Sequence, residues 1–486
     1  VLLCEPYLLD PRPDAVYVLW HTDEPGSRQV VLVGEAAPGL SEPDAVAAAT
    51  GADPYGPGWR RVDATTARLS RTREDADSCV PGRVYAEVTE RPVFRHLADV
   101  GGLSAGRTPY RVVSIDERGH ATVTVAYTLA PAVAGPVRLL LTSDHQLKPM
   151  TPANLEKVAE TVGVTLDGIL FAGDMVNVPD RASEWFDSES GGAFFAGFTG
   201  RASVTLSGRT YRGAPLLPHT PLYPAIGNHE VMGHYSATAS LGAQFKDPRP
   251  GSWNITTYEE MFPHPRNADG GSRWWSRTIG DVHVITLCVA QAWRSAAPTG
   301  RGRFQENAAD LAEPYRWGHG QLIYEPIARG SAQYEWLARE LASPAARRAR
   351  YRVVMFHHAG HGLGENGAPA FTDPVQTIRR DRRGVVTAVT YAYPLEADYI
   401  RRDLEPLLSD AGVHLVHNGH SHLWNRFRNA RGVHWLETSN VGNTYGAYDV
   451  TSGVARALPK SRNHVVLGDA GGLAPIRPTI APLVDD

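Results

Sequence analysis

The chain has 486 residues, 42% hydrophobic and 21% charged, which excludes a small disulfide scaffold and an intrinsically disordered chain and suits roughly three domains or fewer. Lys and Arg number 48 against 52 Asp and Glu, a net charge of -4, so no global field recruits nucleic acid or an anionic membrane. No run reaches about 18 unbroken apolar residues, which excludes a helical membrane span.

Residues 1–130 read as short apolar strands between turns, with no helical period separating them. Ala15–Trp20, Gln29–Val33, Tyr110–Ser114 and Ala121–Tyr127 carry this pattern and predict an all-β sandwich. Gly101–Thr108 mimics a phosphate-binding loop with Arg107 in place of lysine, but it lies among strands with no helix after it and reads as a sandwich loop. Of the three cysteines, Cys288 lies in an apolar run and reads as buried. Cys4 and Cys79 share the N-terminal region, so a Cys4–Cys79 bridge is favoured.

After the linker Pro131–Pro136 the pattern changes to strands alternating with helices, an α/β reading. Val137–Thr142 and Ile169–Ala172 are continuous apolar strands flanking a helix over Pro152–Val162, a βαβ unit. Further strands are predicted at Leu222–Ile226, Val282–Val289, Arg352–Phe356, Val413–His417 and Val433–Glu437, with helices at Ala332–Leu341 and Asp398–Leu408. Arg181–His219 and Gln291–Gly330, rich in Gly, Arg and aromatics, interrupt the rhythm and read as insertions that cover something.

Five clusters of metal-type ligands each follow a predicted strand: Asp144-His145-Gln146, Gly173-Asp174 with Asn177, Gly227-Asn228-His229-Glu230, His357-His358, and Gly419-His420-Ser421-His422. Strand ends of an open α/β sheet converge on one rim, so ligands far apart in sequence can meet there in a two-metal site. On extended backbone, residues i and i+2 point the same way, which pairs Asp144 with Gln146 and His420 with His422. The glycines before Asp174, Asn228 and His420 leave room for tight turns. His229 and His234 resemble a zincin pair but stand five residues apart where one helical face needs four, and are set aside. Arg294, Arg301 and Arg303 offer a phosphate clamp, although a solvated loop accounts for them better.

In this order the clusters resemble the calcineurin-like metallophosphoesterases, whose pattern is Asp-x-His, Gly-Asp-x-x-Asp/Asn, Gly-Asn-His-Glu, a histidine after an apolar strand, and Gly-His-x-His. Gln333–Leu337 resembles the helix before the fourth motif. His422–Arg426 resembles the His-x-x-x-Arg continuation of the purple acid phosphatases, and Arg95-His96 with Gly102–Tyr110 looks like their fibronectin type III-like N-terminal domain. The resemblance implies an α/β catalytic domain, a four-layer α/β/β/α sandwich over 136–486, preceded by an all-β sandwich over 1–130. It also implies two divalent or trivalent metal ions (Fe, Mn, Zn or Mg). Asp144 and His422 would hold the first, Asn228, His357 and His420 the second, and Asp174 would bridge both. His229 would lie beside the leaving group as the catalytic residue, with Asn177, His145, His358 and Arg426 around the site and His361 a candidate substrate contact.

The implied reaction is hydrolysis of phosphoric esters by a metal-bridging hydroxide, in a secreted, extracellular or periplasmic phosphomonoesterase with a small phosphoester as partner. The alternatives are a phosphodiesterase of the same fold and a non-catalytic extracellular binding protein with a degenerate site. Two departures from the family pattern matter. Gln146 takes the place of the Asp-x-His histidine, and as an oxygen ligand it tilts the first site towards iron, manganese or magnesium over zinc; if it does not ligate, that site is weak or empty. Asn177 stands where the purple acid phosphatases have an iron-ligating tyrosine. His145 would point away from Asp144.

Overall fold

The computed structural model describes residues 1–231, 254–293, 304–314, 317, 321–363 and 370–439, and beyond them only the short strands Ala447–Asp449, Val454–Arg456, Asn463–His464 and Thr479–Ile480. Three sheets form the framework. In the first, of seven strands, Leu139–Thr142, Gly168–Phe171, Pro221–Pro224 and Tyr7–Arg12 run parallel, and Ala15–Thr22, Phe94–Val100 and Thr65–Arg68 continue it antiparallel. Leu8 and Leu9 pair with Pro221 and Leu222, so one sheet runs from the N-terminal region into the α/β region.

A six-stranded antiparallel sheet, with Arg28–Val33 and Thr108–Ile115 near its centre, packs on the N-terminal half of the first. Val16, Val18 and Trp20 from one sheet meet Val31, Val33 and Val112 from the other, a two-sheet β domain. A third sheet of eight strands includes Trp275–Ile279, Val282–Thr286, Tyr351–His358, Leu415–Gly419, His434–Thr438 and Trp424–Arg428 and faces the parallel half. Alternation along the strands builds the layers. Leu170 and Ala172 point inward to Val284, Val353 and Met355. Ile169 and Phe171, one residue out of phase, join Leu155 of the helix Met150–Val162 on the outer face, and Val354 and Phe356 join Leu337 of the helix Ala332–Leu341.

The structure departs from expectation in four places. The N-terminal region contains a helix, Glu42–Thr50, with Ser41 accepting from the Asp44 N–H as its cap and Ala45, Ala48 and Ala49 packed on Val30, Leu32 and Val113. Alanines give so little apolar contrast that its period was invisible. The helix expected over Asp398–Leu408 is a π-helical turn, Ile400–Leu404, leading into the α-helix Glu405–Asp410, because Pro406 has no N–H for the regular ladder. The expected Cys4–Cys79 bridge does not form: Cys4 is buried with Sγ 3.6 Å from His21 Nδ1, whereas Cys79 is exposed, and neither is in a disulfide. The insertion Arg181–His219 buries Trp185, Phe194, Phe195 and Phe198 in the core with Phe171 of the parallel strands, while residues 207–210 stay exposed. In the second insertion Trp317 packs on Val389 and Tyr391, and Arg294, Arg301 and Arg303 lie outside the described residues.

Candidate metal centre

The strands Leu139–Thr142, Gly168–Phe171, Pro221–Pro224, Tyr351–His358 and Leu415–Gly419 deliver Asp144, Asp174, Asn228, His357 and His420 to one rim. Around His357 Nε2 stand Asp174 Oδ2 at 3.0 Å, Asn228 Oδ1 at 3.1 Å and His420 Nδ1 at 3.2 Å. His422 Nε2 lies 3.5 Å from Asp144 Oδ1. All these side chains are buried. His357 Nδ1 donates to the Ala172 carbonyl at 2.7 Å, so in the neutral ring Nε2 turns a lone pair towards other acceptors. Such crowding needs a positive charge in its midst. The same demand shows in the proton affinity of His357: burial opposes its charge, but Asp174 and Asp144 push it up to about 10. Burial works to raise Asp174, yet the His357 and His229 imidazoles hold it well below the usual carboxylate range.

The loops that carry the cluster are strained. Asp144, Gln146, Asp174, His420 and His422 have φ of 55°, 39°, 59°, 90° and 59°, five of the eight non-glycine positive values among the described residues. Backbone of that kind persists only where its surroundings over-determine it, and it concentrates at functional sites. Two glycines permit the close approach. A Cβ on Gly227 would overlap the Asp174 carboxylate, and one on Gly419 would overlap that of Asp144.

Two buried glutamates that the sequence reading gave no role hold these loops in place. Glu230 accepts from the N–H groups of Asp174 at 2.8 Å and of Met175 and Gly227 at 2.7 Å. Glu437 accepts from Ser421 N and Asn425 Nδ2, each at 2.6 Å. Burial, with the neighbouring Asp174 charge, pushes Glu230 up to about 7, and burial pushes Glu437 up to about 7. Glu230 carried a signal, its place in Gly-Asn-His-Glu; Glu437, a lone acid in a strand, carried none. Glu230→Ala strands three buried donors at about 1–3 kcal/mol each, so urea denaturation is expected to show a loss of about 3 kcal/mol or more. An unchanged midpoint would mean that water replaces the carboxylate without loss.

The remaining predicted residues divide. Gln146 is buried and its Oε1 has no hydrogen-bond partner, an orphaned acceptor that suits a cation ligand. Asn177 Nδ2 donates to the Gln146 carbonyl at 3.2 Å, bracing that loop. His229 donates its backbone N–H to Asp174 Oδ1 at 2.9 Å and its Nδ1 proton to the Asn177 carbonyl at 2.7 Å, which leaves Nε2 3.9 Å from Asp174 Oδ2 on a partly exposed ring. His358 stacks on His420 with 3.8 Å between ring centroids. His145 is not at the centre: its Nε2 bonds Thr142 Oγ1 at 2.9 Å, its ring packs against Phe171 and Phe198, and burial lowers it to about 3. The left-handed backbone on either side turns it into the aromatic core. Arg426 lies opposite Leu436, and burial and the charges of Arg426 and Arg428 lower His434. His361 pairs with Glu405 at 3.3 Å.

Carboxylates, amide oxygens and imidazoles thus form a buried His/Asp cluster able to bind metal ions, with Asp144, Asp174 and His357 offering ligand atoms within 4.8 Å of one another. No helix among the described residues is long and apolar enough to cross a membrane. No protein-family model and no curated protein matches the sequence. Among solved structures the chain is similar to a purple acid phosphatase from yellow lupin (Lupinus luteus) seeds, with TM-score 0.54 and 15% identity over 94% of this chain and 66% of that one. It thus spans just under two thirds of the lupin enzyme. It also aligns with PhoD, at TM-score 0.46 and 12% identity over 92% of this chain and 78% of that one. A dimetal phosphatase from Danio rerio aligns at TM-score 0.32 and 9% identity, over 64% and 90%. The architecture is the calcineurin-like metallophosphoesterase fold, with an N-terminal β domain.

Proposed function

We propose that the protein is a dinuclear-metal phosphoric ester hydrolase, a phosphomonoesterase acting on a small phosphoester. The observation that carries this reading is the convergence of Asp174, Asn228 and His420 on His357 Nε2, an arrangement that calls for positive charge. Asp144, Gln146 and His422 would hold one ion, Asn228, His357 and His420 the other, and Asp174 both. When bound, such ions acidify a water and neutralise charge on the phosphoryl oxygens. The chain's own groups do the rest. Ala172 fixes the His357 tautomer so that Nε2 faces the centre, and Glu230 and Glu437 fix the loops. His229, held through Nδ1, presents Nε2 at the open side, where a proton on it can pass to the leaving oxygen. The similarity to an enzyme named a phosphatase supports a monoester over a diester.

Metal analysis with turnover of p-nitrophenyl phosphate and bis-p-nitrophenyl phosphate, before and after chelation, tests this. Two ions per chain and chelator-sensitive hydrolysis, faster on the monoester, are expected. Substoichiometric metal without turnover would leave a binding protein with a degenerate site. Asn177 cannot supply a tyrosinate, so the iron-loaded protein is expected to lack an intense visible charge-transfer band. An intense band would show that a tyrosine has entered the centre.

A further inference from the structure

A chain of buried charged groups runs from the N-terminal region to the open side of the metal centre. Arg181 donates to Asp75 through Nη2 at 2.7 Å and Nε at 3.3 Å, and through Nη1 to Glu184 Oε1 at 2.8 Å. Glu184 Oε2 accepts from the N–H groups of Asn177 at 2.6 Å and Val178 at 3.1 Å. The Asn177 carbonyl in turn holds His229 Nδ1 at 2.7 Å. Asp75, Arg181 and Glu184 are 4%, 8% and 4% exposed. Glu74, beside Asp75, accepts from both Ser183 N and Ser183 Oγ at 2.8 Å, so the N-terminal region grips the segment after Val178 twice. Burying so many charges is costly, and a hydrophobic contact would have joined the two regions at less expense.

We propose that Asp75 and Arg181, acting through Glu184 and the Asn177 backbone, are positioning residues for His229, so that the N-terminal β domain sets the aim of the proton donor. This rests on the catalytic reading above. A displacement of about 1 Å at the acid can lower the rate on the order of 10²-fold, and only where protonation of the leaving group matters.

The test uses the full-length metal-loaded protein with Asp75→Asn, which keeps an oxygen for Arg181 and so protects folding, and with Arg181→Ala and Arg181→Lys. Expected are unchanged metal content, a loss of roughly 10²-fold on an alkyl phosphate with little loss on p-nitrophenyl phosphate, and partial recovery in Arg181→Lys. Hydrogen exchange followed by mass spectrometry is expected to show faster exchange at Asn177 and Val178 in Asp75→Asn. Equal losses on both esters, or unchanged exchange at those two amides, would overturn the proposal. A wild-type protein that binds metal but hydrolyses neither ester would sink the catalytic reading instead, and the exchange arm would then decide whether the clamp exists.

Discussion

Asp174→Ala is expected to lose both metal ions and all detectable turnover. In the proposed centre this carboxylate would serve both ions: its ligand atom lies within 4.8 Å of those of Asp144 and His357, and its Oδ2 faces His357 at 3.0 Å. Without it Asp144 is the only carboxylate left among the proposed ligands, and neutral imidazoles and amides hold a hard cation weakly. Metal stoichiometry is the direct readout, with circular dichroism to show that the fold survives. Folding should survive, because the Asp174 and Met175 N–H groups that Glu230 holds belong to the backbone and remain. Asp174→Asn, which keeps the oxygen but not the charge, should fall between. A variant with two metal ions and near-normal turnover would refute the bridging assignment.

His229→Ala should behave differently: both metals retained, but a loss on the order of 10²–10⁴ in turnover of alkyl phosphates and a much smaller one for aryl phosphates. The separation follows from which atoms do what. The brace to Asp174 comes from the backbone N–H of residue 229, which alanine keeps, whereas the imidazole held by the Asn177 carbonyl is removed. An alkoxide leaves poorly without a proton and p-nitrophenolate needs none. A plot of log rate against leaving-group pKa should steepen in the variant. Parallel lines for variant and wild type, with metal content unchanged, would remove His229 from the proton-transfer role.

The cluster was legible because its chemistry is local: Asp174, Asn228 and His420 each follow a glycine that follows an apolar strand, and such spacing survives in the linear sequence. The supports were not. Glu437, Glu184 and Asp75 are acids in a strand, a short helix and a loop, positions where an acid is ordinarily solvated, and only tertiary contact buries them. His145 turns away from Asp144 as expected, but left-handed backbone rather than strand alternation does it. The rule that i and i+2 share a face assumes extended backbone, whereas Asp144 and Gln146 are left-handed and the residue between them is sent to Phe171 and Phe198. Sequence proximity misled for the cysteines, because Cys4 enters the aromatic core and Cys79 stays at the surface.

The strand Tyr7–Arg12 has one neighbour close in sequence, Ala15–Thr22, and another far away, Pro221–Pro224. On the ribosome the first pairing can form as soon as the hairpin emerges, but the opposite edge stays bare until the middle of the chain has been made. A bare edge is a template for pairing with other nascent chains, so the early hairpin is where chaperone protection should matter most. It also orders assembly: the parallel sheet beneath the candidate metal centre can close only after an element from each region has been synthesised, which makes the α/β half dependent on a strand from the N-terminal region.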